Sequence, residues 1–204
     1  MNIGLYFGTF NPIHIGHLVI ANHIVEQTIL DQVWFVVTPQ NPLKNKSSLL
    51  KDSHRLAMVR EAVYDSPKLK ASDIEFGLSK PNYTASTLAH IMDKHPDHSF
   101  SLIMGEDNLR NFHKWKNYEN ILSNHTIYVY PRVLTPQEED EYKSLNTDEI
   151  DKLRANKNII YCQDAPLMKI SASFIRKSIK ENNDVRFLLS EPVHKYVEEM
   201  HFYK

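Results

Sequence analysis

The first forty residues of the chain carry a strand pattern, a turn and a helix pattern in an order that restricts the fold. An apolar run from Asn2 to Phe7 ends in a Gly-Thr-Phe-Asn-Pro turn, and apolar residues then recur at helical spacing from Ile15 to Val25. A second apolar run covers Gln32 to Thr38 and closes at Pro39. Two strands connected through a helix form a parallel pair, so the sequence predicts a βαβ unit at its start.

The same alternation continues to the end of the chain. Further strands are predicted at 69–76, 100–104, 126–131 and 158–162, and further helices at 53–64, 85–94, 173–180 and 193–200. Alternating strands and helices predict an α/β fold, a doubly wound Rossmann-like parallel sheet flanked by helices. Ligands of such sheets lie beyond the carboxyl ends of the strands, so residues that follow a strand are the candidates for function.

The alternation fails between residues 135 and 157. The stretches Gln137–Lys143 and Thr147–Lys152 are highly charged and offer few apolar anchors. We interpret residues 135–157 as a charged surface excursion within a single domain of residues 1–204. Neither an internal repeat nor a low-complexity linker divides the chain.

The charge balance and the cysteine content narrow the class of partner and the compartment. With 24 basic and 25 acidic residues the formal net charge is −1, so no overall field attracts the chain to nucleic-acid polymers or membranes. The single cysteine, Cys162, excludes an intramolecular disulfide and a cysteine-rich zinc site. No run approaches the roughly 18 apolar residues of a membrane span. We therefore expect a cytoplasmic protein.

The five glycines exclude two common phosphate-binding sequences. They stand at positions 4, 8, 16, 77 and 105, a spacing that contains neither G-x-G-x-x-G nor a P-loop. If this α/β protein binds nucleotides, it must hold their phosphates in another way.

The turn after the first strand, Gly8 to His17 (GTFNPIHIGH), combines features that suit an anion. Gly8 allows a close backbone approach, Pro12 fixes φ, and the helix that opens at Gly16 offers unbonded N–H groups. His14 and His17 lie three residues apart, so both can present a ring nitrogen to phosphate oxygens. A zinc site is the alternative, but the H-x-x-H pair lacks a third ligand of suitable spacing. The turn therefore predicts a phosphate-binding site.

This turn resembles the G-T-F-D-P-x-H-x-G-H segment of the nicotinate-nucleotide adenylyltransferases, a family of the nucleotidyltransferase superfamily with its T/H-x-G-H signature. Asn11 stands where Asp is commoner, and Phe7 where a second Gly is common. The resemblance implies the nucleotidyltransferase fold and assigns Asn11 to the mononucleotide substrate. It assigns contacts with ATP to five residues of the turn: Gly8, Thr9, Phe10, His14 and His17.

The segment Pro42-Leu43-Lys44 is similar to the family's P-H-K element after the second strand, with Leu43 in place of the His. Lys44 keeps the cation, so the resemblance assigns it to the phosphates of the mononucleotide or of ATP. Lys46 stands so near that the sequence does not decide between the two lysines. A solvated surface lysine is the alternative for either residue.

The segments Ser72 to Glu75 and Asn82 to Leu88 look like the family's S-x-x-E followed by S-Y-T-x-x-T-L, with Asn82 in place of the usual Ser. In the family the backbone amides of the Tyr and Thr, here Tyr83 and Thr84, receive the nicotinate carboxylate. Both fall at a predicted helix start, where unbonded N–H groups and the helix dipole favour an anion. An ordinary threonine helix cap is the alternative.

The segment from Met104 to Leu109 follows a predicted strand, and Trp115 stands eight residues beyond Asp107. By resemblance, Gly105 and Asp107 contact the ribose of ATP, and Trp115 stacks on the pyridine ring of the mononucleotide. The π-face of a tryptophan suits a pyridinium cation, although a core tryptophan is the alternative.

The last matching segment, Ile170 to Arg176 (ISASFIR), resembles the superfamily's I-S-S-T-x-I-R. Ser171 and Ser173 can donate hydrogen bonds to ATP or cap the helix that follows. Arg176 supplies a rigid fork for the β- and γ-phosphates.

These five elements span nearly the whole chain and imply transfer of AMP from ATP to nicotinate mononucleotide, which gives deamido-NAD and pyrophosphate in NAD biosynthesis. We expect the mononucleotide phosphate to attack the α-phosphorus directly, without a covalent enzyme intermediate. Four residues are assigned to catalysis, since they align the phosphates and neutralise their charge: His14, His17, Lys44 and Arg176. Mg²⁺ is expected on the ATP phosphates, because no carboxylate cage for it is evident in the sequence.

Two alternatives stay open at this point. A phosphopantetheine adenylyltransferase shares the histidine pair and the terminal Ser/Arg motif, but does not require the Tyr-Thr pair together with Trp115. A nucleotide-sensing protein keeps the fold without turnover, although it has no evident need for both histidines and Arg176. The sequence leaves open whether the chain forms a homo-oligomer. It also leaves open how strongly the protein discriminates between nicotinate and nicotinamide mononucleotide.

Overall fold

The computed structural model describes residues 1–39, 49–133 and 147–204, with the backbone alone for 147–150. The predictions for Lys44 and Lys46 lie outside these residues, as do residues 135–146 of the charged stretch. In the described ranges no helix is long and apolar enough to cross a membrane.

Six strands of the described chain form a parallel sheet. In chain order they are β1 (Asn2–Gly8), β2 (Gln32–Val37), β3 (Leu69–Ser72), β4 (Ser99–Gly105), β5 (Ile127–Tyr130) and β6 (Ile159–Tyr161). Their spatial order is β3-β2-β1-β4-β5-β6. The order changes direction between β1 and β4, where a doubly wound sheet opens a crevice beyond its strand ends. The predicted α/β fold is confirmed.

Helices connect the strands. In chain order they are α1 (Ile15–Gln27), α2 (Asp52–Val63), α3 (Thr84–Lys94), α4 (Glu106–Arg110), α5 (Tyr118–Asn124), α6 (Thr147–Arg154), α7 (Ala172–Lys180) and α8 (Glu191–Glu199), with 3₁₀ turns at Ile74–Gly77, Phe112–Lys114 and Arg186–Leu188. The sequence patterns missed α4 and α5, which have five and seven residues. Elements that short do not show a 3.6-residue periodicity.

The strand predicted at 69–76 is too long. β3 ends at Ser72, whose Oγ accepts a hydrogen bond from the Ile74 N–H at 3.4 Å, and a 3₁₀ turn follows. Glu75 in that turn is buried and accepts a hydrogen bond from the Thr87 hydroxyl of α3 at 2.7 Å. This contact joins two elements, so the local apolar pattern could not predict it.

Both faces of the sheet are covered by apolar cores. In β1, Ile3 and Leu5 face one core while Tyr6 faces the other, because side chains alternate along a strand. The core on the Tyr6 side includes buried side chains of α1, α2, α7 and α8. The core on the other side includes those of α3, α4 and α5. Burial on both faces is typical of parallel sheets.

The carboxyl end of the charged stretch packs against the second core. Leu153 of α6 is buried there. Arg154 forms an ion pair with Glu106 of α4 and donates from Nε to the Tyr161 hydroxyl at 3.3 Å. Leu153 and the hydrogen bond to Tyr161 therefore connect α6 to the sheet and its core, and the ion pair connects it to α4.

Arg55 of α2 fixes the loop that follows β1. Its side chain is fully buried, and Nη1 donates to the carbonyl oxygens of Thr9 at 2.5 Å and Thr38 at 3.0 Å. Nη2 pairs with Asp52 at 2.6 Å, and Nε donates to the Leu50 carbonyl at 3.2 Å. A buried guanidinium is stable when its donors are bonded in this way. It connects the ends of β1 and β2 to α2.

Candidate active site

A cleft of about 950 Å³ opens at the carboxyl edge of the sheet. Gly8, Gly105 and Tyr130, the last residues of β1, β4 and β5, line it. The first residues of α3 and α7 also line it, together with the loop that leads into α1. The cleft therefore lies at the change of strand direction, where the fold predicts a ligand.

The two imidazoles of the first loop stack on each other. The ring centroids of His14 and His17 lie 3.7 Å apart, with 25° between the planes. The His14 backbone N–H donates to His17 Nδ1 at 3.3 Å. Because Nδ1 of His17 accepts this bond, Nε2 is the ring nitrogen that can donate a hydrogen bond to a ligand.

His14 is neutral at pH 7. Burial, and then the positive charge of Arg132, lower the pKa of His14 to about 4. Its Nδ1 is buried and has no hydrogen-bond partner within the described parts of the chain. A side chain at Gly16 would place Cβ 3.1 Å from the His14 ring, so glycine there leaves room for the imidazole. The ring therefore acts as a dipolar group rather than as a cation.

Arg176 of α7 reaches the first loop from the far end of the chain. Its Nη1 donates to the Asn11 carbonyl oxygen at 2.8 Å, and Nη2 donates to Ser173 Oγ at 3.3 Å. Ser171 caps α7, because its Oγ accepts from the Phe174 N–H at 3.1 Å. The fold thus brings Arg176 against the histidine loop, and Ser171 and Ser173 line the same cleft.

The side chain of Asn11 supports the loop. It is 2 % exposed, and its Oδ1 accepts from the Leu50 N–H at 3.2 Å and from the Tyr203 hydroxyl at 3.0 Å. The residue lines the cleft, but this oxygen is engaged within the protein.

Gly105 and Asp107 lie at the end of β4. A Cβ at Gly105 would stand 2.5 Å from Asp107 Oδ1 and 3.2 Å from the Tyr130 ring, so glycine is needed for this approach. Asp107 Oδ2 pairs with Arg132 Nη1 at 2.5 Å. Oδ1 of the same carboxylate is buried without a partner in the described chain. Asp107, which the sequence assigned to the ribose of ATP, thus lines the cleft with one of its carboxylate oxygens still available as an acceptor.

The opposite end of the cleft is formed by the start of α3. Tyr83 precedes the helix with extended dihedral angles, and helix geometry gives the N–H groups of Tyr83 and Thr84 no partner within the helix. Trp115 lines this end, with its ring packed edge-on against Phe112 at 5.4 Å between centroids. Lys116 Nζ lies 4.7 Å from the centre of the Tyr83 ring. An aromatic wall, a cation and backbone donors meet there.

Comparison with known proteins identifies the family. The cytidylyltransferase-like family model matches residues 5–178. A protein from Flavobacterium psychrophilum is 57% identical over 204 residues, covering 100% of both chains. A protein from Bacteroides fragilis is 39% identical over 95% of this chain and 90% of its own. Both carry the name probable nicotinate-nucleotide adenylyltransferase.

The chain belongs to the nicotinate-nucleotide adenylyltransferase family. This confirms the family that the motifs indicated, and it confirms that the chain is a nucleotidyltransferase. A Plasmodium falciparum nicotinic acid mononucleotide adenylyltransferase complexed with NaAD is 20% identical and superimposes with a TM-score of 0.75, over 99% of this chain and 97% of that one. A second structure of the Plasmodium protein, complexed with APC, gives a TM-score of 0.73 over 99% and 96% of the two chains. At this identity the two likenesses concern the fold.

The structure of this adenylyltransferase brings nearly all the predicted site residues to the cleft. Those within the described ranges that line it are Gly8, Thr9, Phe10, Asn11, His14, His17, Tyr83, Thr84, Gly105, Asp107, Trp115, Ser171, Ser173 and Arg176. Lys44 belongs to the residues that the structure does not describe. The assignment of roles to these side chains stays a prediction.

Sequence reasoning missed five charged residues of the adenylyltransferase cleft: Glu75, Arg110, Lys114, Lys116 and Arg132. Arg132 follows β5 closely, as Asp107 follows β4, so its position after a strand was a usable signal. Glu75 stood in a quoted motif without an assigned role. Burial raises the pKa of Glu75, and hydrogen bonds from the hydroxyls of Thr87 and Thr38 lower it in part.

Proposed function

We propose that this chain transfers AMP from ATP to nicotinate mononucleotide, giving deamido-NAD and pyrophosphate in NAD biosynthesis. The observation that carries this proposal is the continuous cleft, which joins the histidine loop and Arg176 to the helix start at Tyr83 and Thr84. One end suits phosphates, and the other suits an aromatic carboxylate. Relatives that match the full length of the chain carry the corresponding name.

The transfer needs alignment and charge neutralisation more than covalent chemistry. The mononucleotide phosphate attacks the α-phosphorus of ATP, and pyrophosphate leaves without a covalent enzyme intermediate. His14 and His17 donate hydrogen bonds to the phosphate oxygens, and the guanidinium of Arg176 holds the β- and γ-phosphates. By its sequence motif, Lys44 supplies a further cation to the phosphates of the mononucleotide or of ATP.

ATP binds at the β4 side of the cleft in this proposal. Gly8, Thr9 and Phe10 accommodate the phosphates through the loop backbone, while Ser171 and Ser173 donate at the start of α7. Asp107 accepts from the ribose hydroxyls with the oxygen that Arg132 does not engage.

Mg²⁺ enters with the triphosphate. Among the described residues, no group of three or more His, Cys, Asp or Glu side chains could hold a metal ion. Phosphate oxygens and water are the ligands that Mg²⁺ commonly keeps in such sites. The ion supplies charge neutralisation to the triphosphate.

Nicotinate mononucleotide binds at the α3 side. The amides of Tyr83 and Thr84 donate to its carboxylate, the Trp115 ring stacks on the pyridinium, and Asn11 lies near the ribose phosphate. A cytoplasmic location, which the single cysteine predicts, is part of this proposal.

A pyrophosphate-release assay tests the proposal. ATP and Mg²⁺ are supplied with nicotinate mononucleotide, nicotinamide mononucleotide or phosphopantetheine as acceptor. We expect the highest kcat/KM with nicotinate mononucleotide. A preference for phosphopantetheine would support the sister activity instead, and ATP binding without turnover on any acceptor would support a nucleotide sensor.

A further inference from the structure

Asn82 lies directly before Tyr83 and α3, and it carries a buried oxygen without a partner. The residue is 5 % exposed and lines the cleft. Its Nδ2 donates to the backbone carbonyl of Glu75 at 3.1 Å, which fixes the orientation of the amide. Oδ1 has no hydrogen-bond partner in residues 1–39, 49–133 and 147–204.

The neighbouring Glu75 does not supply that partner. Its carboxylate is itself an acceptor, and it is bonded by the Thr87 hydroxyl at 2.7 Å and by the Thr38 hydroxyl. Buried polar atoms are nearly always bonded, since an unmet acceptor loses its solvation without compensation. The unmet Oδ1 of Asn82 in the cleft wall therefore indicates that a donor on the ligand approaches there.

The two terminal atoms of the substituent on the pyridine ring identify that donor. A carboxylate presents two acceptors and is complementary to the backbone donors of Tyr83 and Thr84. A carboxamide presents one acceptor and one NH₂ donor. With backbone donors alone, the NH₂ group would be left facing another donor, but Oδ1 of Asn82 offers it an acceptor.

We propose that Asn82 Oδ1 accepts a hydrogen bond from the carboxamide NH₂ of nicotinamide mononucleotide, so that the enzyme uses this amide as a second acceptor. The inference rests on the proposed function and concerns the same site. The chemistry is unchanged: the phosphate oxygen of the amide mononucleotide bonds to the α-phosphorus, the bond to the β-phosphate oxygen breaks, and NAD and pyrophosphate are formed.

Substitution of Asn82 tests the proposal. Asn82→Ser keeps a hydroxyl that can donate to the Glu75 carbonyl but removes Oδ1, and Asn82→Ala removes both groups. For each variant kcat/KM is measured with nicotinate and with nicotinamide mononucleotide at fixed ATP and Mg²⁺. We expect Asn82→Ser to lower kcat/KM for the amide roughly tenfold and to leave that for the acid nearly unchanged.

The ratio of the two kcat/KM values tests the role of Asn82 Oδ1, because inactive or unfolded protein lowers both values equally. Asn108→Ser, at an exposed asparagine on the β4 side of the cleft, is the matched control and should leave the ratio unchanged. An unchanged ratio in Asn82→Ser, or an equal loss with both acceptors, would overturn the role of Oδ1. A wild-type enzyme that uses the acid but not the amide would overturn it as well. Wild-type protein that uses neither mononucleotide would instead overturn the proposed function.

Discussion

At the scale of single residues, the histidine pair shows how burial sets the chemistry of a side chain. Stacking at 3.7 Å places both rings at one wall of the cleft, and the backbone bond to His17 Nδ1 directs its other nitrogen away from the loop. Because the pKa of His14 is about 4, its imidazole offers a hydrogen bond rather than a full charge. The cationic part of the site comes from arginine and lysine.

The first prediction concerns this pair. We expect His14→Ala and His17→Ala each to lower kcat by several orders of magnitude, because the imidazoles contact charge that develops in the transition state. Steady-state kinetics measures the loss, and circular dichroism checks that the fold persists. Near-wild-type turnover in either variant would contradict the phosphate assignment.

The second prediction concerns pH. The pKa of His14 falls from 6.5 in the unfolded chain to about 4 in the folded protein. Between these values the unfolded state binds the proton that the folded state excludes, so stability falls as the pH falls from 6.5 to 4. At 1.36 kcal/mol per unit, the loss reaches about 3 kcal/mol near pH 4. Above pH 6.5 this contribution is constant.

Urea unfolding of the wild type and His14→Gln at several pH values measures this effect. The glutamine cannot take up a proton. The difference in unfolding free energy between the two proteins should therefore change by about 3 kcal/mol between pH 6.5 and pH 4. A difference that is independent of pH would show that His14 titrates normally in the folded protein.

At the scale of elements, the position of the first loop depends on α2. Arg55 bonds the carbonyls at the ends of β1 and β2, and its charge is matched by Asp52. We expect Arg55→Met to lower the unfolding free energy by about 3–5 kcal/mol, because the carbonyls and the carboxylate lose their buried partner.

A matched control lies on the same helix. Arg60 pairs with Asp73 at 3.1 Å, but both side chains are more than half exposed. Arg60→Met should therefore cost less than about 1 kcal/mol. Equal losses in the two variants, measured by chemical denaturation, would show that the burial of Arg55 adds no stability.

At the scale of the whole molecule, the cleft joins the two halves of the sheet, and the choice of acceptor depends on its α3 end. We expect a higher kcat/KM for nicotinate than for nicotinamide mononucleotide. In the amide, one backbone donor faces NH₂ instead of an oxygen, and the helix dipole loses its anion. Together these losses cost about 2–4 kcal/mol, or roughly one and a half to three decades in kcat/KM. Because Oδ1 of Asn82 offers the amide an acceptor, we expect the ratio of kcat/KM for the acid to that for the amide to lie near the lower end of this range.

Steady-state kinetics with both mononucleotides at fixed ATP and Mg²⁺ measures this preference. Trp115→Ala should weaken both acceptors without reversing the order, because the ring stacks on either pyridine. A preference for the amide would contradict the carboxylate pocket at Tyr83 and Thr84.

Local sequence patterns determined the parallel sheet and most of its helices, because apolar periodicity records which face of an element is buried. They also indicated the candidate site, since the Gly8–His17 turn, the Tyr83–Thr84 helix start and the Ser171–Arg176 segment each follow recognisable local rules. Their common cleft was predictable in outline, because carboxyl ends of parallel strands meet at one edge.

Tertiary structure decided the contacts between residues that are distant in the chain. Arg176 bonds the carbonyl of Asn11, 165 positions away, and Arg55 reaches Thr9 across 46. Buried Glu75, three residues beyond β3, accepts a hydrogen bond from the Thr87 hydroxyl of another element. No local pattern contains these partners, because a hydrogen bond between distant residues exists only after the sheet has brought its strand ends together.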